Sequence, residues 1–100
     1  MKLQKCFEFT GKELFFQGHF PEAPILPGVI QLAFAQQVAE EMMGRVLTLS
    51  AVKKMKFTKV ITPKDRIMVE VEKSDRENVL EISYRILKGN DVCSSGVLVY

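Results

Sequence analysis

The 100-residue chain contains one histidine, His19. Imidazole is the side chain whose unperturbed pKa lies nearest neutrality, so this is where a proton could be taken or given at ordinary pH. His19 lies in Gly18-His19-Phe20-Pro21-Glu22-Ala23-Pro24-Ile25-Leu26-Pro27-Gly28, which holds three of the four prolines and two of the six glycines. Such a stretch can be neither regular helix nor central strand, and reads as a long, stiff loop. Pro27-Gly28 then opens a helix-forming run, where free amide groups and the positive end of the helix dipole face outward. A carbonyl oxygen docked against Gly28 or Val29 would be polarised there, and glycine lets a ligand approach the backbone closely. A base held nearby could remove a proton from the carbon next to that carbonyl. The plainer reading of a lone histidine is a loop hydrogen-bonding group.

The elements that must position this loop follow from periodicity and punctuation. Leu3 to Thr10 and Glu13 to Gln17 have the aromatic richness of strands, with a turn at Gly11-Lys12. Val29 to Met43 lacks Gly and Pro, is rich in Ala, Gln, Glu and Met, and stops at Gly44, which predicts a helix. At about 100° per residue, Leu32, Phe34, Ala35, Val38, Ala39, Met42 and Met43 form a broad apolar arc. Gln36, Glu40, Ala33 and Gln37 share the remaining arc, so the helix should be largely enclosed, with one narrow polar strip. Val46 to Ile61 reads as a long strand, followed by a turn at Pro63-Lys64-Asp65. Ile67, Val69 and Val71 alternate with Met68, Glu70 and Glu72; Leu80, Ile82, Tyr84 and Ile86 alternate with Glu81, Ser83, Arg85 and Leu87. Lys88 to Asp91 is a hairpin turn, and Val92 to Tyr100 is the partner strand. The expected architecture is α+β: one long central helix wrapped by a curved antiparallel sheet, in a single domain over residues 1–100.

Size and composition narrow the function classes. One hundred residues leave no room for a separate cofactor domain. A content of 47% hydrophobic and 26% charged residues is that of a folded chain, yet one this short covers only about two-thirds of its surface and gains from association. A net charge of +2 is too mild for a nucleic-acid footprint. Cys6 and Cys93 lack the spacing of a metal knuckle or a disulfide scaffold. No signal-peptide core or membrane-length apolar run occurs, which favours a cytoplasmic address. No phosphate loop or nucleotide fingerprint is present, and no cofactor or metal is expected.

Phe16-Gln17-Gly18-His19-Phe20-Pro21, then Pro24, then Leu26-Pro27-Gly28-Val29, resembles the GHFPxxPxxPGV signature of the FabZ-type 3-hydroxyacyl-acyl-carrier-protein dehydratases, members of the hot-dog superfamily. Lys56-Phe57 with Val60, Pro63 and Asp65 resembles a second block of that family, whose glycine after the proline is Lys64 here. The resemblance implies a hot-dog fold, reversible elimination of water from a 3-hydroxyacyl thioester, and an active site shared between two chains. It implies His19 as the base, Gly28 and Val29 as the backbone oxyanion site, and substrate contact from Phe20, Pro27, Gly28, Val29 and Gln37. The family's acid, a glutamate or aspartate four residues beyond the valine, is Ala33 here, whereas the glutamine four residues further on is kept as Gln37.

Neither Glu40 nor Glu22 is an obvious substitute for the acid. Seven residues separate Glu40 from Ala33, about 10 Å along a helix, and Glu22 lies in the loop beside His19. Three functions compete: a dehydratase-like enzyme whose acid comes from a second hot-dog subunit, an acyl thioesterase, and a non-catalytic acyl-thioester-binding subunit. Homodimers or higher assemblies are expected, as is an acyl carrier protein partner. Lys53, Lys54, Lys56, Lys59, Lys64 and Arg66 would be its docking surface, or a solvated face. Phe20, Ile25, Leu26 and Phe34 could line an acyl tunnel, or be plain core.

Overall fold

The computed structural model describes residues 1–16 and 24–100. His19, Phe20 and Glu22 therefore lie outside the described residues. The elements run as strand β1 (Lys2–Glu8), a single 3-10 turn (Leu14–Phe16), helix α1 (Gly28–Met43), and strands β2 (Ala51–Phe57), β3 (Arg66–Lys73), β4 (Glu81–Lys88) and β5 (Asp91–Val99). The strands form one antiparallel sheet in the order β1-β3-β4-β5-β2. Helix α1 packs across β3, β1 and β4. The α+β reading thus holds, with β1 and β2 at the sheet edges.

The alternation seen in sequence sets the two faces. Ile67, Val69, Val71, Ile82, Tyr84 and Ile86 are buried beneath the helix. Against them the helix sets Ala35, Val38 and Ala39, all fully buried, and these small side chains let its backbone approach the sheet. The helix ends at Gly44, whose φ of 70° is the left-handed conformation that glycine adopts without a Cβ penalty; its amide donates to the Glu40 carbonyl at 2.8 Å. No helix among the described residues is long and apolar enough to cross a membrane.

Two expected strands are corrected. Glu13 to Gln17 is not a strand in its described part. The Glu13 carboxylate accepts from the Thr10 amide (2.9 Å), the Thr10 hydroxyl (3.1 Å) and the Gly11 amide (3.0 Å), while Phe16 N donates to the Glu13 carbonyl. These local bonds wind the aromatic run into a turn and seat Phe16 against Phe9, ring centroids 5.1 Å apart. The long strand from Val46 shrinks to Ala51–Phe57. Ahead of it the Leu47 amide donates to Glu40 Oε2 at 2.8 Å, which ties Leu47 to the helix, and bonding to the sheet begins only at Ser50, whose amide donates to the Val99 carbonyl at 2.7 Å.

The outer sheet face carries charge. Glu70 and Glu81 are nevertheless buried, because Glu70 is roofed by Lys2 and Arg85, both at 3.0 Å, and Glu81 by Lys53 (3.0 Å) and Arg76 (2.6 Å).

Candidate functional site

The N-terminus of α1 is the chemically distinctive place among the described residues. Pro27 stands at the N-cap with extended backbone and offers no side-chain oxygen to the helix. The amides of Ile30 and Gln31 donate to the Pro27 carbonyl, at 3.1 and 3.0 Å. Those of Gly28 and Val29 have no acceptor among the described residues, so two N–H groups and the positive dipole end remain available to an oxygen ligand.

Beside this terminus lies a groove of about 340 Å³, lined by Ile25, Leu26, Pro27, Gly28, Gln31, Phe57, Thr58, Lys59 and Val60. A second hollow of about 400 Å³, formed by Pro24, Ile25, Val60, Thr62, Pro63 and Lys64, shares Ile25 and Val60 with it. Together they make a mainly apolar trough whose lining includes Lys59 and Lys64. One wall is fixed from behind: Asp65 Oδ2 accepts from the Thr62 amide (2.8 Å) and from Lys88 Nζ (3.3 Å), and Lys88 also donates to the Val60 carbonyl (3.1 Å). Burial pushes the Asp65 carboxyl up, but the Thr62 amide and the Lys88 ammonium outweigh it and hold the group below the ordinary aspartate value.

Gly28 has an unexpected neighbour. A Cβ at this position would lie 2.7 Å from Cζ of Phe57, so what the glycine admits to the helix end is the half-exposed Phe57 ring of the same chain. The expected close approach by a ligand would have to move that ring.

The remaining sequence-derived positions divide. Pro27 and Gly28 line the groove. Val29, Ala33 and Gln37 do not; they are exposed, four residues apart, in one strip along the helix. Gln36 and Glu40, expected on the polar strip, are half-buried and bonded to Leu47, so the exposed face is Val29, Ala33, Gln37 and Glu41. Glu40 is therefore a loop-capping group. Ile25 and Leu26 line the trough, whereas Phe34 is core, stacked at 4.7 Å from Phe7. Within the basic stretch, Lys53, Lys59 and Arg66 pair with Glu81, Asp91 and Glu8, while Lys54, Lys56 and Lys64 have no ion pair among the described residues.

Gln31 was not singled out by its residue type. It is 4% exposed, its Nε2 donates to the Leu26 carbonyl at 3.0 Å, and its Oε1 is buried without a hydrogen-bond partner among the described residues. The signal was its spacing: Gln31 lies four and seven residues before Ala35 and Val38, on the face that packs against the sheet.

The sequence matches the ApeI-like family, described as ApeI dehydratase, over residues 2–97. It is 44% identical over 70 residues to the 3-hydroxyacyl-(acyl-carrier-protein) dehydratase FabZ of Clostridium kluyveri, covering 63% of this chain and 49% of that protein. To FabZ of Clostridioides difficile it is 30% identical over 99 residues, covering 91% of this chain and 70% of that protein. The chain spans about half the length of most of the curated relatives compared with it. In three dimensions it resembles the dehydratase heterocomplex ApeI:P from Xenorhabdus doucetiae, with a TM-score of 0.81 at 20% identity over 98% of this chain and 85% of that one. The fluoroacetyl-CoA-specific thioesterase FlK gives 0.76 at 17% identity, covering 99% and 82%. At such identities the structural likenesses establish the hot-dog fold. The family match and the longer alignment go further, and by them the chain belongs to the FabZ-type hot-dog dehydratases, in the ApeI-like family.

Proposed function

We propose that this protein acts on 3-hydroxyacyl thioesters borne on an acyl carrier protein, eliminating water to give the 2-enoyl thioester. The observation that carries the reading is the open end of α1: the Gly28 and Val29 amides, without an acceptor among the described residues, beside an apolar trough, in a chain of this family. In the proposed reaction the thioester carbonyl oxygen sits on those amides. His19 takes the proton from C2, the electron pair of that C–H bond becomes the C2–C3 π bond, and the C3–O bond breaks. The negative charge that builds on the carbonyl oxygen is stabilised by the two N–H groups and the dipole. The departing hydroxide needs a proton to leave as water.

Ala33 cannot give that proton, so we assign it to a second hot-dog subunit lying on the exposed helix strip, where Val29, Ala33 and Gln37 would face it. The reading is supported by the exposed Val29, Met55 and Phe57 and by the unpaired outer edge of β2. It is also supported by the solved relative, itself a heterocomplex of dehydratase subunits. A general acid contributes about 10²- to 10⁴-fold, so the chain alone should be slow. Incubation with a 3-hydroxyacyl thioester, followed by enoyl absorbance, is the test. We expect little turnover by the chain alone, a rise of about 10²-fold or more with Ala33→Glu or with a co-purifying hot-dog subunit, and loss of that gain with His19→Ala. Equal turnover with and without His19 would remove it from the reaction.

A second reading, an acyl-thioester-binding subunit without turnover, has Ala33 in its favour. It predicts tight thioester binding with no enoyl product even when the acid is restored. Release of free thiol without enoyl product would instead mark a thioesterase.

A further inference from the structure

The groove beside α1 is mainly apolar, its polar side chains being Gln31, Thr58 and Lys59, and half of the Gln31 amide is unsatisfied among the described residues. Gln31 Nε2 is committed to the Leu26 carbonyl, which fixes the orientation of the amide. Its Oε1 is left as a buried acceptor with no donor among the described residues, although Gln31 is one of the residues that line the groove. A buried, unpaired amide oxygen is destabilising, so a position one turn into the helix would be better filled by Leu or Met unless something donates to it. The Thr58 hydroxyl, another polar group lining the groove, is already given to the Val92 and Cys93 carbonyls. The only other described wall group carrying a charged donor, Lys59, pairs with Asp91. Among the described residues no wall group then donates to Oε1, a role that a donor on the groove's occupant would fill, and Phe57, a half-exposed ring against Gly28, is the group that occupant would displace.

We infer that Gln31 is a specificity-determining residue, accepting a hydrogen bond from a hydroxyl group on an acyl ligand whose carbonyl is held at the Gly28 and Val29 amides. This rests on the function proposed above and adds that the chain itself distinguishes the hydroxylated acyl group from its reduced counterpart before any chemistry. Gln31 is not an acid: an amide oxygen can accept the hydroxyl's hydrogen bond and orient the C3–O bond, but it cannot protonate the leaving group. Its role is separate from that of the missing acid at Ala33.

The test is a pair of probes in equilibrium binding to the intact chain: a 3-hydroxydecanoyl pantetheine thioester and the decanoyl thioester that lacks only the hydroxyl. The native protein should prefer the hydroxylated probe by about fivefold or more, the factor that corresponds to satisfying one buried acceptor. Gln31→Met keeps the volume and removes the acceptor; it should bring the two affinities together by weakening the hydroxylated probe while leaving the decanoyl probe as tight or tighter. Equal binding of both probes by the native protein, as a buried water on Oε1 would give, overturns the assignment and leaves the dehydratase reading standing. A preference that survives in Gln31→Met overturns it as well. Binding of neither probe overturns the underlying reading and this one together. Because the native comparison needs no variant, the outcome does not depend on how well Gln31→Met folds.

Discussion

Glu70 is a carboxylate on the outer face of a strand, yet it is covered, and its electrostatics follow from what covers it. The Lys2 ammonium is the strongest influence holding its carboxyl below the ordinary glutamate value; burial opposes, and Gln4 and Arg85 add to the lowering. Glu81 is lowered in the same way, first by Lys53 and then by Arg76. With folded values below the unfolded value of 4.5, these groups contribute stability that is complete above about pH 4.5 and is lost as pH falls through their lowered values. Thermal melts between pH 6 and 2.5 should show an acid limb that becomes shallower in Glu70→Gln. An unchanged limb would mean that the cations over Glu70 add nothing to folding. The alternating pattern placed Glu70 on its face correctly; it could not show the covering, because Lys2 comes from a strand 68 residues away in sequence, brought there by the pairing of β1 with β3. Gln31 was missed for a related reason. Glutamine is a residue type mostly found exposed, but its helical spacing from Ala35 and Val38 puts Gln31 on the buried face.

At the scale of elements, the helix was legible almost to the residue, because its breakers are unambiguous: Pro27 before it and Gly44 after it. Gly44→Ala should cost about 1 kcal/mol, since the left-handed cap disfavours a Cβ; for a domain of this size that is roughly 4–8 °C in Tm. The strands were legible where alternation was strict, as in β3 and β4, and misread where apolar content stood in for pattern. Val46 to Ser50 is the example: its composition suits a strand, but Glu40 takes its Leu47 amide. The trough depends on an element of another kind, the connection from Val60 to Asp65, held by Lys88. In Lys88→Met, hydrogen exchange should quicken at the amides of Thr62, bonded to Asp65, and Leu26, bonded to the Ile61 carbonyl at 2.7 Å. Exchange rates like those of the native chain would show that the wall stands without its lysine.

For the molecule as a whole, the proposed association would draw on the apolar residues that the fold leaves uncovered. Met55 and Phe57 on β2 and Val29 on α1 are each about half-exposed or more. Met55→Glu should shift the assembly toward single chains in native mass spectrometry while leaving the Tm of the isolated chain nearly unchanged, as surface changes do. Persistence of the same oligomer would exclude β2 as the joining edge. The two edges of the sheet are unequal in a way that bears on solubility. On β1 the outermost strand presents Lys2, Lys5 and Glu8, charges that discourage another strand from adding there. On β2, Lys54 adopts a φ of 54° and the pairing with β5 slips between Lys53 and Lys56, so the edge is kinked. A sheet that can extend only past one bent edge, and is closed by charge at the other, stops growing after a single addition. The kink that shapes the strand next to the trough is thus also an irregularity of the kind that discourages open-ended strand addition.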